Sequence, residues 1–206
     1  MPELEYRKIC PFCESTDINI IRSIPLKKDR FASCLNLDSL DGINNHWLLC
    51  NKCDLRYTSI ILTRNTQNIL YNNYRTLYNP SSSPHEYFTK LNSIPDEASE
   101  NTTKLKMLEK SLFFQGSHMK EFNNILDCGC GAGNMLFKLK KKYPNLRCFG
   151  LEPTPEFAKY ASSILNYNVE NTYIEDFISD KSYDLISFFH VFEHIISPFK
   201  SLAKMI

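Results

Sequence analysis

The sequence predicts an α/β chain in two parts, a small cysteine-held ribbon followed by a largely parallel sheet with helices on its faces. Three observations carry this. Residues 125–134 read Ile-Leu-Asp-Cys-Gly-Cys-Gly-Ala-Gly-Asn, a buried strand ending in an acid and then glycine at every second position. From Asn123 onward strand and helix patterns alternate, as a parallel sheet with crossover helices requires. Near the N-terminus stand two Cys-x-x-Cys pairs, Cys10/Cys13 and Cys50/Cys53.

The composition sets bounds on function. A length of 206 residues holds one large domain or two small ones. The apolar share of 43% and charged share of 23% are those of an ordinary globular protein. A net charge of +1 argues against broad electrostatic binding to nucleic acid or to an anionic membrane. No run approaches the roughly 18 apolar residues of a membrane span. The charged start, Met-Pro-Glu-Leu-Glu-Tyr-Arg-Lys, has no apolar signal core, so a cytoplasmic location is expected. Eight cysteines in that compartment need a reason other than disulfides.

The ribbon, residues 1–62, supplies the reason. A Cys-x-x-Cys knuckle points two thiolates at one metal from a tight turn, and two knuckles complete a tetrahedral site of four sulfurs suited to Zn²⁺. Cys10, Cys13, Cys50 and Cys53 are therefore the expected ligands. Flanking segments are β-prone: Ile18–Ile21, Trp47–Leu49 and Tyr57–Leu62. Hairpins this small need the metal because their core is thin. Cys34 and His46 lie in the insert, where either could replace a ligand, although a buried thiol and a surface imidazole are the plainer readings. Four thiolates leave no open coordination position, so the role is structural.

Residues 63–103 read as a helix and a linker. Ile69, Leu70, Tyr74, Leu77 and Tyr78 make a helical stripe over residues 63–78. Asn79-Pro-Ser-Ser-Ser-Pro84 breaks it, and residues 79–103 read as linker or mobile flap.

The third region is residues 104–206. A helix is expected around residues 104–112, with Leu105, Leu108 and Leu112 on one face. The first strand is Asn124–Cys128. A helix follows over Asn134–Lys142 with Met135, Leu136 and Leu139 inward, its lysines a solvated face. The second strand, Leu146–Glu152, ends in an acid. Thr154 and Pro155 open the next helix as N-cap and first helical residue, and Phe157, Ala158, Ala161, Ile164 and Leu165 line its buried side. A third strand lies near residues 167–170. The fourth, Tyr183–Phe189, is nearly all apolar, as a strand covered on both faces should be. His190-Val-Phe-Glu-His194 sits at its carboxyl end, and a last helix spans residues 195–206 with Pro198 in its first turn.

The glycine stretch is a nucleotide-like cofactor turn at the carboxyl end of the first strand. It fails the dinucleotide spacing G-x-G-x-x-G from either start: the sixth position is Asn134 or Leu136. The Gly-Lys-Ser/Thr of a P-loop is also missing. What remains is Asp-x-Gly-x-Gly-x-Gly, with Glu152 at the end of the next strand, where a carboxylate can accept two hydrogen bonds from ribose hydroxyls.

Asp127-Cys-Gly-Cys-Gly-Ala-Gly133, Gly150-Leu-Glu152 and Tyr183-Asp-Leu-Ile with His190-Val-Phe-Glu-His194 resemble the class I S-adenosylmethionine-dependent methyltransferases. The closest likeness is the subgroup with an N-terminal zinc-binding segment, often acting on sugars or sugar-bearing natural products. The run Cys50-x-x-Cys-x-Leu-Arg-Tyr57 and the tyrosine-rich helix after it fit that subgroup. The resemblance implies a Rossmann-like sheet. It implies that Gly129, Gly131 and Gly133 line S-adenosyl-L-methionine, with Asp127 near its methionine amino group and Glu152 on its ribose. Asp176, after the third strand, is a candidate for the adenine amino group. Asp54 stands where such ribbons usually carry glycine.

The family sheet has seven strands in the order 3-2-1-4-5-7-6, and this chain supplies the first four. The expectation is a C-terminally truncated domain whose fourth strand is an apolar open edge. Either a second chain completes the sheet, or the chain self-associates, or it is a truncated product. Methyl transfer needs alignment above all, and a base adds to it. His190 is the first choice, since imidazole titrates near neutrality, followed by His194 and Glu193; otherwise these residues cap the helix and orient the loop. Three functions compete: methyl transfer to a sugar or other small molecule, a non-catalytic binding partner, and a nucleic-acid methyltransferase that reads through the ribbon.

Overall fold

The computed structural model describes residues 3–27, 35, 42–78, 83–166 and 168–205. Cys34, Tyr167 and residues 79–82 of the expected linker lie outside the described residues, as do the side chains of residues 74–78 and of Leu165. The chain divides into two compact units, Met1–Pro80 with Ile195–Ile206, and Ser81–His194.

The first unit opens with strands β1 (Leu4–Tyr6), β2 (Ile18–Pro25), β3 (Asn44–Cys50), β4 (Arg56–Thr58) and β5 (Ile60–Leu62), then helix α1 (Arg64–Tyr78). β2, β3 and β4 form an antiparallel meander, and β1 pairs antiparallel with β5. Its core beside the cysteines is thin: Cys10, Leu48, Cys50 and Tyr57. This is the expected ribbon.

The second unit holds α2 (Pro84–Asn92), α3 (Glu100–Phe114), β6 (Asn124–Cys128), α4 (Asn134–Lys142), β7 (Arg147–Leu151), α5 (Pro155–Leu165), β8 (Asn168–Glu170) and β9 (Leu185–Ser187). All neighbouring strands run parallel, in the order β8-β7-β6-β9. In sequence order that is 3-2-1-4, the expected half of the sheet. β6 is central, and its Ile125 and Leu126 are fully buried between the helix layers. Leu136, Leu139 and Cys148 complete the core with Leu105 and Leu112 of α3.

Ile164, read onto the buried side of α5, is instead about half exposed, and the structure departs from the sequence reading at four further places. The segment read as a linker contains α2. Ser83-Pro84-His85-Glu86 is a capping box in which the Ser83 hydroxyl accepts the Glu86 N–H and the Glu86 carboxylate accepts the Ser83 N–H. Tyr87 and Phe88 then pack edge-on against Phe157 of α5 and Phe137 of α4. α3 begins one turn earlier than expected, at Glu100, because Ser99 caps it. β9 is shorter than the predicted strand 183–189. At its start the Asp184 carboxylate accepts the N–H groups of Asn123 and Asn124, and after Ser187 the chain leaves the sheet through a left-handed His190 (φ 57°). The last helix, α6, covers only Pro198–Ala203. α6 belongs with the ribbon unit: Phe199 packs at a tilt against Phe12 with ring centres 4.4 Å apart, and Lys200 pairs with Glu14 at 2.8 Å.

Candidate functional site

The metal centre is built by two matching turns. In each, the N–H of the residue after the second cysteine bonds the carbonyl of the first: Glu14 to Cys10 at 3.0 Å, Asp54 to Cys50 at 2.9 Å. Both closing residues are left-handed, Glu14 at φ 58° and Asp54 at φ 59°. The four sulfurs lie within 4.8 Å of one another, with Cys10–Cys53 at 3.6 Å and Cys13–Cys50 at 3.5 Å. A ZnS₄ tetrahedron with bonds of about 2.3 Å has edges of roughly 3.8 Å, so the donor set fits zinc in number, kind and spacing. Burial pushes the Cys50 thiol up, but the N–H groups of Lys52 and Cys53 and the neighbouring thiols bring it down, whereas Cys53, despite the Leu55 N–H, is pushed up by burial and by the same neighbouring thiols. His46 is not part of this cluster; its Nδ1 meets the Ser23 hydroxyl at 2.8 Å. The Tyr57 hydroxyl is buried with no hydrogen-bond partner among the described residues.

The second site lies at the carboxyl end of the parallel sheet. Gly129, Gly131 and Gly133 all have positive φ, at 73°, 57° and 82°. At Gly129 a side chain is disfavoured twice over: by the left-handed backbone, and because a Cβ would run into Val191 Cγ2. The turn is tied to the next strand, since the N–H groups of Gly129 and Cys130 both reach the Leu151 carbonyl, at 2.7 and 3.0 Å. Glu152 grips it from the side. One carboxylate oxygen accepts the Gly131 N–H at 2.8 Å and the other the Thr154 N–H at 2.9 Å. Each oxygen keeps a second lone pair for a ligand.

Asp127, 3% exposed, stands opposite Gly150 on β7 and Ser187 on β9. The Ser187 hydroxyl donates to its Oδ1 at 2.6 Å. Burial pushes the Asp127 carboxyl up to about 6; Ser187 and Lys104 pull it down, and Glu152 pushes it up. The thiols of Cys128, Cys130 and Cys148 are buried and pushed up, so they are neutral packing groups. Asp176 is exposed in the turn after β8 and takes part in none of these bonds.

His190 is exposed at the end of β9, its Nε2 3.0 Å from Glu100 Oε1 and its Nδ1 3.9 Å from Glu193 Oε1. Glu100 also pairs with Lys104 at 2.9 Å, and the hydrogen bonds from Lys104 and His190 hold its carboxyl below the usual range. His194 is exposed in the short 3₁₀ turn Phe192–His194, its N–H on the Val191 carbonyl at 2.8 Å. Sequence reasoning missed Glu100, Lys104, Ser187 and Val191. The Ser99 cap announces the turn that carries Glu100; the others come together only through the fold.

A family model described as a methyltransferase domain matches residues 126–206. The (S)-tetrahydroprotoberberine N-methyltransferase of Eschscholzia californica is 29% identical over 115 residues, 53% of this chain and 31% of that protein. A probable (S)-tetrahydroprotoberberine N-methyltransferase 2 of Papaver bracteatum is 29% identical over 53% of this chain and 30% of its own length. The chain thus spans about a third of the length of the curated relatives it matches. Among solved structures, the plantazolicin methyltransferase BpumL in complex with SAH is 25% identical over 68% of this chain and 54% of that one, with a TM-score of 0.46. From residue 126 onward, the chain is similar to the methyltransferase domain that this family model describes.

Proposed function

We propose that the Ser81–His194 unit binds S-adenosyl-L-methionine at the carboxyl ends of β6 and β7 and serves methyl transfer to a small-molecule acceptor, a sugar or sugar-bearing compound in the first instance. The observation that carries this is the left-handed glycine turn gripped by Glu152, with the buried carboxylate of Asp127 at its start. Gly129, Gly131 and Gly133 let a ligand lie on the main chain. Asp127 takes the ammonium of the methionine part, Glu152 uses its remaining lone pairs for the ribose hydroxyls, and Asp176 takes the adenine amino group. The bound cofactor supplies an electrophilic methyl on a sulfonium, already joined to a good leaving group.

The chain's residues then have two tasks, alignment and removal of a proton. His190 is the assigned base, with Glu100 on its Nε2 and Glu193 near its Nδ1; His194 and Glu193 are the alternatives. Its left-handed backbone is strained for a residue with a Cβ, and such strain concentrates at functional sites. A base of this kind adds roughly 10²–10⁴-fold to a rate. The sugar assignment rests on the resemblance of the zinc-ribbon subgroup. The poppy relatives are named as N-methyltransferases, so an amine nitrogen is included among the acceptor atoms. Cys10, Cys13, Cys50 and Cys53 would hold zinc as a scaffold outside the chemistry. β9 is an edge among the described residues, and further strands would add beside it, from this protein or from a second chain.

Calorimetric titration with S-adenosylmethionine tests the core of this reading. Saturable one-to-one binding that is lost in Asp127→Asn is expected. No heat at millimolar cofactor, with the unit folded, would remove it.

A further inference from the structure

The geometry points to Ser187 as a positioning residue that holds the Asp127 carboxylate charged and turned toward a cationic ligand group. This rests on the reading that Asp127 meets the cofactor's ammonium. Asp127 and Ser187 are register partners on β6 and β9, so their side chains leave the sheet together at its carboxyl end. Both are buried, 3% and 6% exposed. The Ser187 hydroxyl donates to Asp127 Oδ1 at 2.6 Å, against 3.5 Å to the Leu126 carbonyl, so the proton lies on the carboxylate side.

It is also the only hydrogen bond that the described residues make to this carboxylate, leaving Oδ2 for a ligand. A buried carboxylate without donors gives up its charge, and a neutral Asp127 has little hold on an ammonium. Other groups face it. Lys104 from α3 favours the charge, Glu152 beyond β7 opposes it, and the thiols of Cys128, Cys130 and Cys148 around it are neutral. Burial raises the carboxyl, and the Ser187 hydroxyl is the foremost of the groups that bring it back toward the charged form.

The test uses two probes, S-adenosylhomocysteine, which carries the ammonium, and 5′-methylthioadenosine, which lacks the whole amino-acid group. Each is titrated calorimetrically between about pH 5 and pH 8 into the full chain and into Ser187→Ala. Removing a donor to a buried charge moves the midpoint up by on the order of one unit. The homocysteine probe is then expected to bind about tenfold more weakly near pH 5 and nearly normally near pH 8. The methylthio probe keeps its affinity and its flat profile. Ser187→Thr, which retains the hydroxyl, restores the parent profile and keeps the test decisive if the alanine variant does not fold.

An unchanged pH profile in Ser187→Ala overturns the inference. So does equal weakening of both probes at every pH, the mark of a merely structural serine. If Asp127→Asn itself leaves homocysteine binding intact, the ammonium reading has failed, and the role of Ser187 fails with it.

Discussion

The ribbon and the parallel sheet present functional groups from turns of similar size, yet the turns stand on different foundations. In the ribbon the ligands are themselves the core. Of the four buried residues that cluster there, two, Cys10 and Cys50, are thiols expected on the metal. In the sheet the functional turn rides on a larger core to which it lends only Cys130: Ile125, Leu136, Leu139 and Leu146 are almost fully buried, and the glycines follow from the strand they end. A site that is its own core needs its ion in order to fold, whereas a site mounted on a core can wait for its ligand.

Removing the metal breaks that comparison most sharply. Structural zinc contributes about 10–16 kcal/mol of apparent binding energy at neutral pH, and that energy is folding energy. Chelation, or Cys10→Ser, is expected to abolish amide-exchange protection across β2–β4 while β6 and β7 keep theirs. Elemental analysis should find one zinc per parent chain. Protected β3 amides in metal-free protein would show that the ribbon does not need its ion.

The matching test on the sheet side is Gly129→Ala. The left-handed backbone costs a side chain about 1–2 kcal/mol, and the collision with Val191 adds about 1–3 kcal/mol of overpacking. A loss of about 2–5 kcal/mol in a urea melt is expected, together with loss of cofactor binding. Adding Val191→Ala should return the overpacking share and leave the backbone share. Full recovery in the double variant would mean that the positive φ carries no cost.

What could be read in advance follows the same division. The limits of β6 and α4 and the four-cysteine cluster were legible because each is a local pattern, a period, a glycine spacing or a pair of knuckles, whereas the sheet order followed from the family resemblance alone. α2 was hidden because Pro, Ser and Asn dominate its surroundings, although Ser83 and Glu86 spelled out the cap. β9 was read too long because its apolar run continues to Phe189; the exit at His190 is tertiary, fixed by a positive φ that no composition announces. Ser187 looked like one polar residue in an apolar strand, and its meaning depends on a register partner 60 positions away.

Asp127→Asn tests how freely the mounted site can be built against stability. The carboxyl is raised from 3.8 to about 6 in the folded chain. A raised carboxyl binds more protons folded than unfolded, so stability falls as pH rises through that window. Above it the charge costs the unliganded fold up to about 3 kcal/mol. The variant is expected to be more stable than the parent near pH 8 and equal to it below about pH 4, while losing the cofactor. Thermal melts across pH decide this, and a parent no less stable at pH 8 than the variant would refute it.

The smallest effect compares two ways of filling the same backbone. The sheet turn places glycine at each of its three left-handed positions, whereas the ribbon closes its knuckles with Glu14 and Asp54. Aspartate is among the few residues that visit this region, through local hydrogen bonding of its short side chain. Asp54→Gly removes about 1–2 kcal/mol of backbone strain, but glycine adds about 0.5–1 kcal/mol of unfolded-state entropy. The expected net gain in the zinc-loaded ribbon is under about 1 kcal/mol, read as a small rise in denaturant midpoint. Gly133→Asp in the sheet turn should move the other way, because that position opens α4 beneath the buried Asn134 and has no solvent to receive a charge. Equal and opposite shifts would mean that left-handed strain alone separates the two turns. A larger loss in the sheet turn, which is the outcome expected, would show that glycine there serves the packing and the ligand as well as the angle.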